Sequence, residues 1–342
     1  MEPLVSILIP AYNSQECLAP TIESALAQTW PKKEIIVVDD GSKDETLEIA
    51  KSFAARGVRV VAQTNQGAAA ARNTAFAASQ GDYIQWLDAD DLLEPDKIEA
   101  QVRSLDSRTS PRTLLSGAWG YFIYRTRKAR FVPTSLWNDL TPVEWLIRKM
   151  GSNLHMQTDN WLVSRELTIA TGPWDTRLWR DNDGEYFSRM IVKADGIRFV
   201  PAARSYYRQA GFRSISHIGG SNKKLESLLL SMKLHVGYLL SLEDSERTRA
   251  ACIYYIGNWQ REFYPYRPDI IEMLKELTSE LGGRFEEPRL TGKYEQHDWI
   301  LKLVGWSVAR RVQLAAQGLR KSLNIAWDEA MFRWENRSGA VR

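Results

Sequence analysis

The 342-residue sequence predicts an α/β fold, a mainly parallel sheet flanked by helices and followed by an α-helical C-terminal region. Three observations predict it. Apolar, β-branched runs alternate with helix-forming stretches through the first hundred residues. Polar and acidic residues gather where those runs end. After Gly219-Gly220 the strand pattern stops and long helical periodicities take over.

The elements follow in order. LVSILI (4–9) is a strand that stops at Pro10, and a helix over 19–28 carries Pro20 in its first turn, where a missing N–H costs nothing. EIIVVDD (34–40) has no polar alternation, as in a strand buried on both faces. Gly41 turns the chain, and Ser42 with Glu45 has the spacing of a capping box for a helix over 42–55. VRVVAQ (58–63), the helix between Gly67 and Gly81, and DYIQWLD (82–88) continue the alternation. Strand–helix repeats of this kind build right-handed parallel units, whose ligands sit at the carboxyl ends of the strands. From 113 the pattern loosens into a long strand or strand pair (113–125), a helix (142–149), a strand (160–164), a helix from Asp181 (181–194) and two strands (196–200, 205–209). Helices are expected at 222–242, 246–262, 268–281 and 298–323.

Composition narrows the classes. With 44% hydrophobic and 25% charged residues the chain is ordinary globular material. Cys17 and Cys252 are too few for a disulfide framework or a four-cysteine zinc site, which points to a reducing compartment. The N-terminus lacks a basic region before its apolar run and does not read as a signal peptide. No stretch approaches the ~20 apolar residues of a membrane span. The net charge of +3 divides into −7 over residues 1–105 and +10 over 106–342. An acidic first part is a poor nucleic-acid surface but suits a cation.

Candidate chemistry lies at the strand ends. Asp88, Asp90 and Asp91 are three acids within four residues, fit for Mg²⁺ or Mn²⁺; turn formation and capping of the next helix are the alternative. Asp39 and Asp40 precede Gly41-Ser42, where a carboxylate could accept from a base or ribose, or simply mark a strand–turn junction. Arg72, in a helix otherwise rich in alanine, has a fork suited to phosphate oxygens.

PAYN (10–13), EIIVVDDGS (34–42), NQGAAAARN (65–73) and WLDADDLLEPD (86–96), in that order and spacing, resemble the family-2 inverting nucleotide-sugar glycosyltransferases. The resemblance is dense over 4–105, thinner to about 217, and does not reach the helical tail. It implies a GT-A, Rossmann-like, mainly parallel sheet flanked by helices. The implied division is a catalytic domain over 1–218 (donor half 1–105, acceptor half 106–218) and a helical region over 219–342. Tyr12 would flank the nucleobase with Pro10 beside it, Asp40 would hydrogen-bond the base, Asp39 would position the strand end, and Arg72 would reach base or diphosphate. Asp88 would serve ribose or metal and Asp90 the metal directly, with Asp91 as a further acid. The family's base is commonly the acid of a Glu-Asp pair followed by an arginine. Counting back from Arg189 places Asn182-Asp183 on that pair, so the first acid is missing and Asp183 is the candidate, with Asp181 and Glu185 open.

The expected activity is hexosyl or hexosaminyl transfer, from a UDP-sugar most readily, to a saccharide or lipid-linked acceptor in cell-surface polysaccharide or glycolipid assembly. An inactive nucleotide-sugar-binding module and a metal-dependent nucleotidyltransferase are the rivals. G-x-G-x-x-G is absent, which argues against a nicotinamide enzyme. The Gln-x-x-Arg-Trp segment of processive members is not found after the base, which favours single additions. Trp161, Trp174 and Trp179 lie near the expected site, although packing is the commoner use of a tryptophan. Segment 299–323 holds five Lys/Arg and no acid, with Leu301, Val304, Val308, Val312, Ala315 and Leu319 on one stripe. It suits either packing on the domain or peripheral contact with an anionic membrane. The expected location is the cytoplasm, with the inner face of the cell membrane as the peripheral alternative.

Overall fold

A computed structural model describes residues 2–107, 109–209, 221–263, 267–286 and 298–338; in the last helix, side chains are described at 308 and over 312–335. The chain runs β1 (Val5–Ala11), α1 (Leu18–Leu26), β2 (Lys33–Asp39), α2 (Thr46–Ser52), β3 (Val58–Ala62), α3 (Ala68–Ala78), β4 (Tyr83–Trp86), β5 (Leu92–Leu93) and α4 (Lys97–Arg103). It continues with β6 (Thr113–Phe122), β7 (Arg130–Phe131), α5 (Pro142–Gly151), β8 (Leu162–Ser164), α6 (Arg165–Thr171), α7 (Asn182–Lys193) and β9 (Gly196–Arg208). Four further helices close the described chain: α8 (Asn222–Leu242), α9 (Glu246–Trp259), α10 (Pro268–Glu280) and α11 (Asp298–Ser338).

One nine-stranded sheet has the order β3-β2-β1-β4-β8-β6-β9-β5, with β7 paired to β6. Strands β3, β2, β1 and β4 are parallel, and β8 joins β4 antiparallel, so both halves of the expected catalytic domain share one sheet. Alternation within each parallel strand feeds two cores. Ile7, Ile9, Ile35 and Val37 pack with α1, while Leu8, Ile36 and Val38 pack with α3 and the later helices. Full burial of such a side chain contributes ~1.5–3 kcal/mol, which is why the uninterrupted apolar runs become central strands.

Local differences from the sequence reading have physical causes. β1 continues through Pro10 to Ala11. Pro10 faces the β4 side, where the ladder ends at Leu8 and Trp86, so its missing N–H removes no sheet bond. The capping box of Ser42 and Glu45 does not form. Ser42 Oγ instead accepts the Asn13 N–H at 3.0 Å, Asp44 Oδ1 takes the Thr46 N–H at 3.0 Å, and α2 starts four residues later than expected. The two strands expected at 196–200 and 205–209 are one strand, β9, which follows β6 in parallel and absorbs a bulge opposite Gly117/Ala118.

The helical region packs on the end of the sheet that bears α7. α8 has the length and mean hydropathy, 1.2, of a membrane span, which the sequence reading did not find, yet Ser227, Ser231 and His235 are buried. α11 runs well past the expected 323 and is fastened near its end. Arg125 bonds Asp328 at 2.7 Å and Glu335 at 3.0 Å, and Tyr124 packs on Phe332. Within the expected stripe of 299–323, Val308, Val312, Ala315 and Leu319 are exposed; its other members lie outside the described side chains.

Candidate active site

The carboxyl ends of the parallel strands form one edge. β1 delivers Tyr12, 42% exposed, onto a loop that is tied to the β2 loop by Asn13, whose Oδ1 accepts the Lys43 N–H at 2.8 Å. An open aromatic face beside Pro10 is the geometry expected of a base platform. Gly41 (φ 72) turns the chain beneath it, and a Cβ there would stand 2.7 Å from the Asn65 nitrogen.

Asp39 and Asp40 are both buried. Asp40 faces the loop before α3, where its carboxylate accepts the Gln63 side-chain amide at 2.7 Å and the N–H groups of Gln66 at 2.9 Å and Gly67 at 2.8 Å. The expected base contact thus falls on a carboxylate with three partners already in place. Asp39 accepts the Ser42 N–H through Oδ2, and its buried Oδ1 has no partner. Of the two, Asp39 retains the oxygen without a hydrogen bond.

Arg72 joins the two sides of the edge. Its guanidinium lies 4.4 Å above the ring of Trp174 and is 5% exposed. Nη2 donates to Asp88 Oδ1 at 2.6 Å, and Nη1 to Asn182 Oδ1 at 3.3 Å. The asparagine that replaces the family's acid therefore accepts from the arginine without adding a second negative charge to it. Trp174 is itself stacked on Tyr186 at 3.8 Å, so the core holds the platform rigid.

The three acids after β4 have separate fates. Asp88 pairs with Arg72 and stays partly exposed. Asp90 is pushed up to about 6 by burial and then by Asp88, with Arg208 opposing. Asp91, expected as a further metal acid, points into the fold: it is 1% exposed and accepts the Arg208 N–H at 2.7 Å. Burial first, then Asp90, Asp159 and Asp88, raise it well above the carboxylate range. Asp91 thus spends Oδ1 on the β9 backbone inside the fold, unlike the partly exposed Asp88. Arg208, which the sequence places with Tyr207 on the C-terminal rim of the site, donates through Nε to the Asp90 carbonyl at 2.9 Å and through Nη1 to the Ile123 carbonyl at 2.9 Å.

At the opposite wall, α7 presents the base candidates. Glu185 is buried and taken by Arg189 at 2.7 Å and the Tyr238 hydroxyl at 2.6 Å. Asp181 stands just before α7 without a side-chain capping bond; it lies in the left-handed region (φ 55) and accepts from Ser231 Oγ at 2.8 Å. Among the described residues no other side chain donates to Asp183. Burial, followed by Asp181 and Asp88, raises its pKa, and Arg72 draws it back. Trp161 is wholly buried against Phe187, whereas Trp179, 38% exposed, stands at the mouth near Gly67 with Lys223 over its ring. His217, which the sequence places on the C-terminal rim of the site with Tyr207 and Arg208, lies outside the described residues.

A doubly flanked sheet with acids and an arginine gathered at its carboxyl edge defines a GT-A-type domain. Residues 6–172 match Glycosyl transferase family 2, and that segment is a domain of this family. It is 48% identical over 99 residues to the chondroitin synthase of Escherichia coli, covering 28% of this chain and 14% of that one. It is 39% identical over 111 residues to a putative teichuronic acid biosynthesis glycosyltransferase of Bacillus subtilis, covering 32% of this chain and 44% of the relative. Its fold is similar to that of S. aureus TarS 1-349 in complex with UDP-GlcNAc, with TM-score 0.61, 19% identity, and 79% and 75% of the two chains covered. The chain spans less than half the length of the curated relatives it matches.

Proposed function

We propose that the chain transfers a hexosyl or hexosaminyl group from a nucleoside-diphosphate sugar, UDP-linked first of all, to a saccharide or lipid-linked acceptor hydroxyl by one inverting displacement. The observation that carries this reading is Arg72, whose fork joins Asp88 of the donor edge to Asn182, next to Asp183. It supports a shared cleft between the donor edge and the candidate base. Asp183, as a carboxylate within hydrogen-bond reach, takes the proton of the acceptor hydroxyl. That oxygen attacks the anomeric carbon from the face opposite the diphosphate, whose growing charge Arg72 stabilises. Tyr12 and the Asp39 end of β2 orient the base.

Asp88 and Asp90 would hold a Mg²⁺ or Mn²⁺ ion, with water and the donor's phosphates as its other partners. Such ions need only one or two protein carboxylates, and no all-protein cage of three or more acidic, histidine or cysteine ligands occurs among the described residues. The ion's chemistry would be neutralisation of the leaving diphosphate. The names of two relatives support a role in polysaccharide assembly; cell-surface polysaccharide or glycolipid assembly on the cytoplasmic side, with α11 as the peripheral contact, is our reading. The test is a thermal-shift series with UDP, GDP, CDP and TDP, each with and without Mn²⁺. UDP with Mn²⁺ should raise the melting point most, because a ligand that binds only the folded chain stabilises it. No shift with any of the four sinks the proposal.

A further inference from the structure

The matched family segment ends at residue 172, ten residues before α7, so the surroundings of the candidate base belong to this chain's second half. Asp181 begins α7 in the left-handed region that side-chain-bearing residues rarely adopt. Its carboxylate folds back over Gly184, where a Cβ would overlap it, and is fastened by Ser231 of α8. Behind it lies a buried polar chain. His235 Nδ1 stands 3.7 Å from Asp181 Oδ2 and 2.7 Å from the Tyr255 hydroxyl, and Lys149 Nζ stands 3.2 Å from His235 Nε2 and 3.3 Å from Ser188 Oγ of α7. An ammonium only donates, so Nε2 accepts and Nδ1 carries the ring hydrogen. These groups come from α5, α8 and α9, and all but Asp181 are almost wholly excluded from solvent. Apolar residues would pack such an interior at no loss of stability. What the polar chain adds is a fixed orientation for the first turn of α7.

We propose that Ser231 and His235, backed by Lys149 and Tyr255, are positioning residues that hold Asp181 in its turn and so aim Asp183 at the acceptor. The proposal rests on the reading of Asp183 as the base. The experiment compares Ser231→Ala, Asp181→Asn and Asp183→Asn in the full chain. The readouts are UDP release from UDP-glucose and UDP-N-acetylglucosamine, UDP affinity, melting point, and the crystal structure of Ser231→Ala. Asparagine tolerates the left-handed region and keeps an oxygen for Ser231, so it serves as the conservative replacement. Ser231→Ala should lower kcat by about 10- to 100-fold at unchanged UDP affinity, since a displacement of about 1 Å suffices for that loss. Asp181→Asn should retain more kcat than Ser231→Ala if geometry, not charge, is what Asp181 supplies. In the Ser231→Ala crystal structure the Asp183 carboxylate should be displaced by about 1 Å. Wild-type kcat or an unmoved Asp183 in Ser231→Ala, or an inactive Asp181→Asn, overturns the positioning role. Full activity in Asp183→Asn instead removes the base reading and the positioning role with it.

Discussion

The donor half and the helical region are built on different principles. In the donor half, β1 to β4 with α1 to α3, every functional side chain but Arg72 of α3 sits at the end of a strand whose apolar run also makes it central. Placement there follows from local repeats. The helical region reaches the site from far along the chain, through contacts such as Ser231 and His235 to Asp181 and Tyr238 to Glu185, none of which follows from a motif. The difference teaches that donor recognition and aim of the base can fail separately.

That separation can be broken or sharpened by variants. The largest expected effect is Asp90→Ala, which should reduce transfer by about 10³-fold and abolish any Mn²⁺-dependent shift in melting point while the far-ultraviolet circular dichroism is retained. Wild-type rates in that variant would take Asp90 out of the site. Next, Arg72→Lys should lower kcat by about 10²-fold, because a lysine cannot bridge Asp88 and Asn182 with a planar fork. Equal damage to UDP affinity would place Arg72 wholly on the donor side. A subtler effect concerns pH. Since Asp183 must be ionised to act and its pKa is raised by burial, the acid limb of kcat/KM should fall above the ~3.9 of an ordinary aspartate. A limb at or below that value would argue against Asp183. The smallest effect on catalysis is expected from Arg125→Ala, which releases α11 from Asp328 and Glu335. It should lower the melting point by about 2–4 °C and change kcat less than about twofold. A large loss of activity would tie α11 to the catalytic centre and blur the contrast.

Legibility follows the same division. The alternation of strands and helices through β4, the glycine turn at 41, and the positions of Tyr12, Asp39, Asp40, Arg72 and Asp88 could be read from periodicity and spacing. Asp91 could not be told from Asp90, because neighbours on a loop carry no signal of which one turns inward. The sequence likewise does not distinguish Asp181, Asp183 and Glu185, whose partners differ only in the folded chain. Trp174, for which packing is the commoner expectation, is buried on Tyr186 and carries Arg72 over its ring, a contact with no signal in the sequence.

By itself, then, the sequence determined the parallel sheet and the roster of polar residues at its edge, since burial on both faces demands unbroken apolar runs and pushes charge to their ends. The tertiary structure alone decided which carboxylates remain available. That depends on donors brought from far along the chain, such as Arg208 for Asp91, Ser231 for Asp181, and Tyr238 for Glu185. A carboxylate's role is set by the partners around it, and those partners are fixed by how separate helices and strands pack.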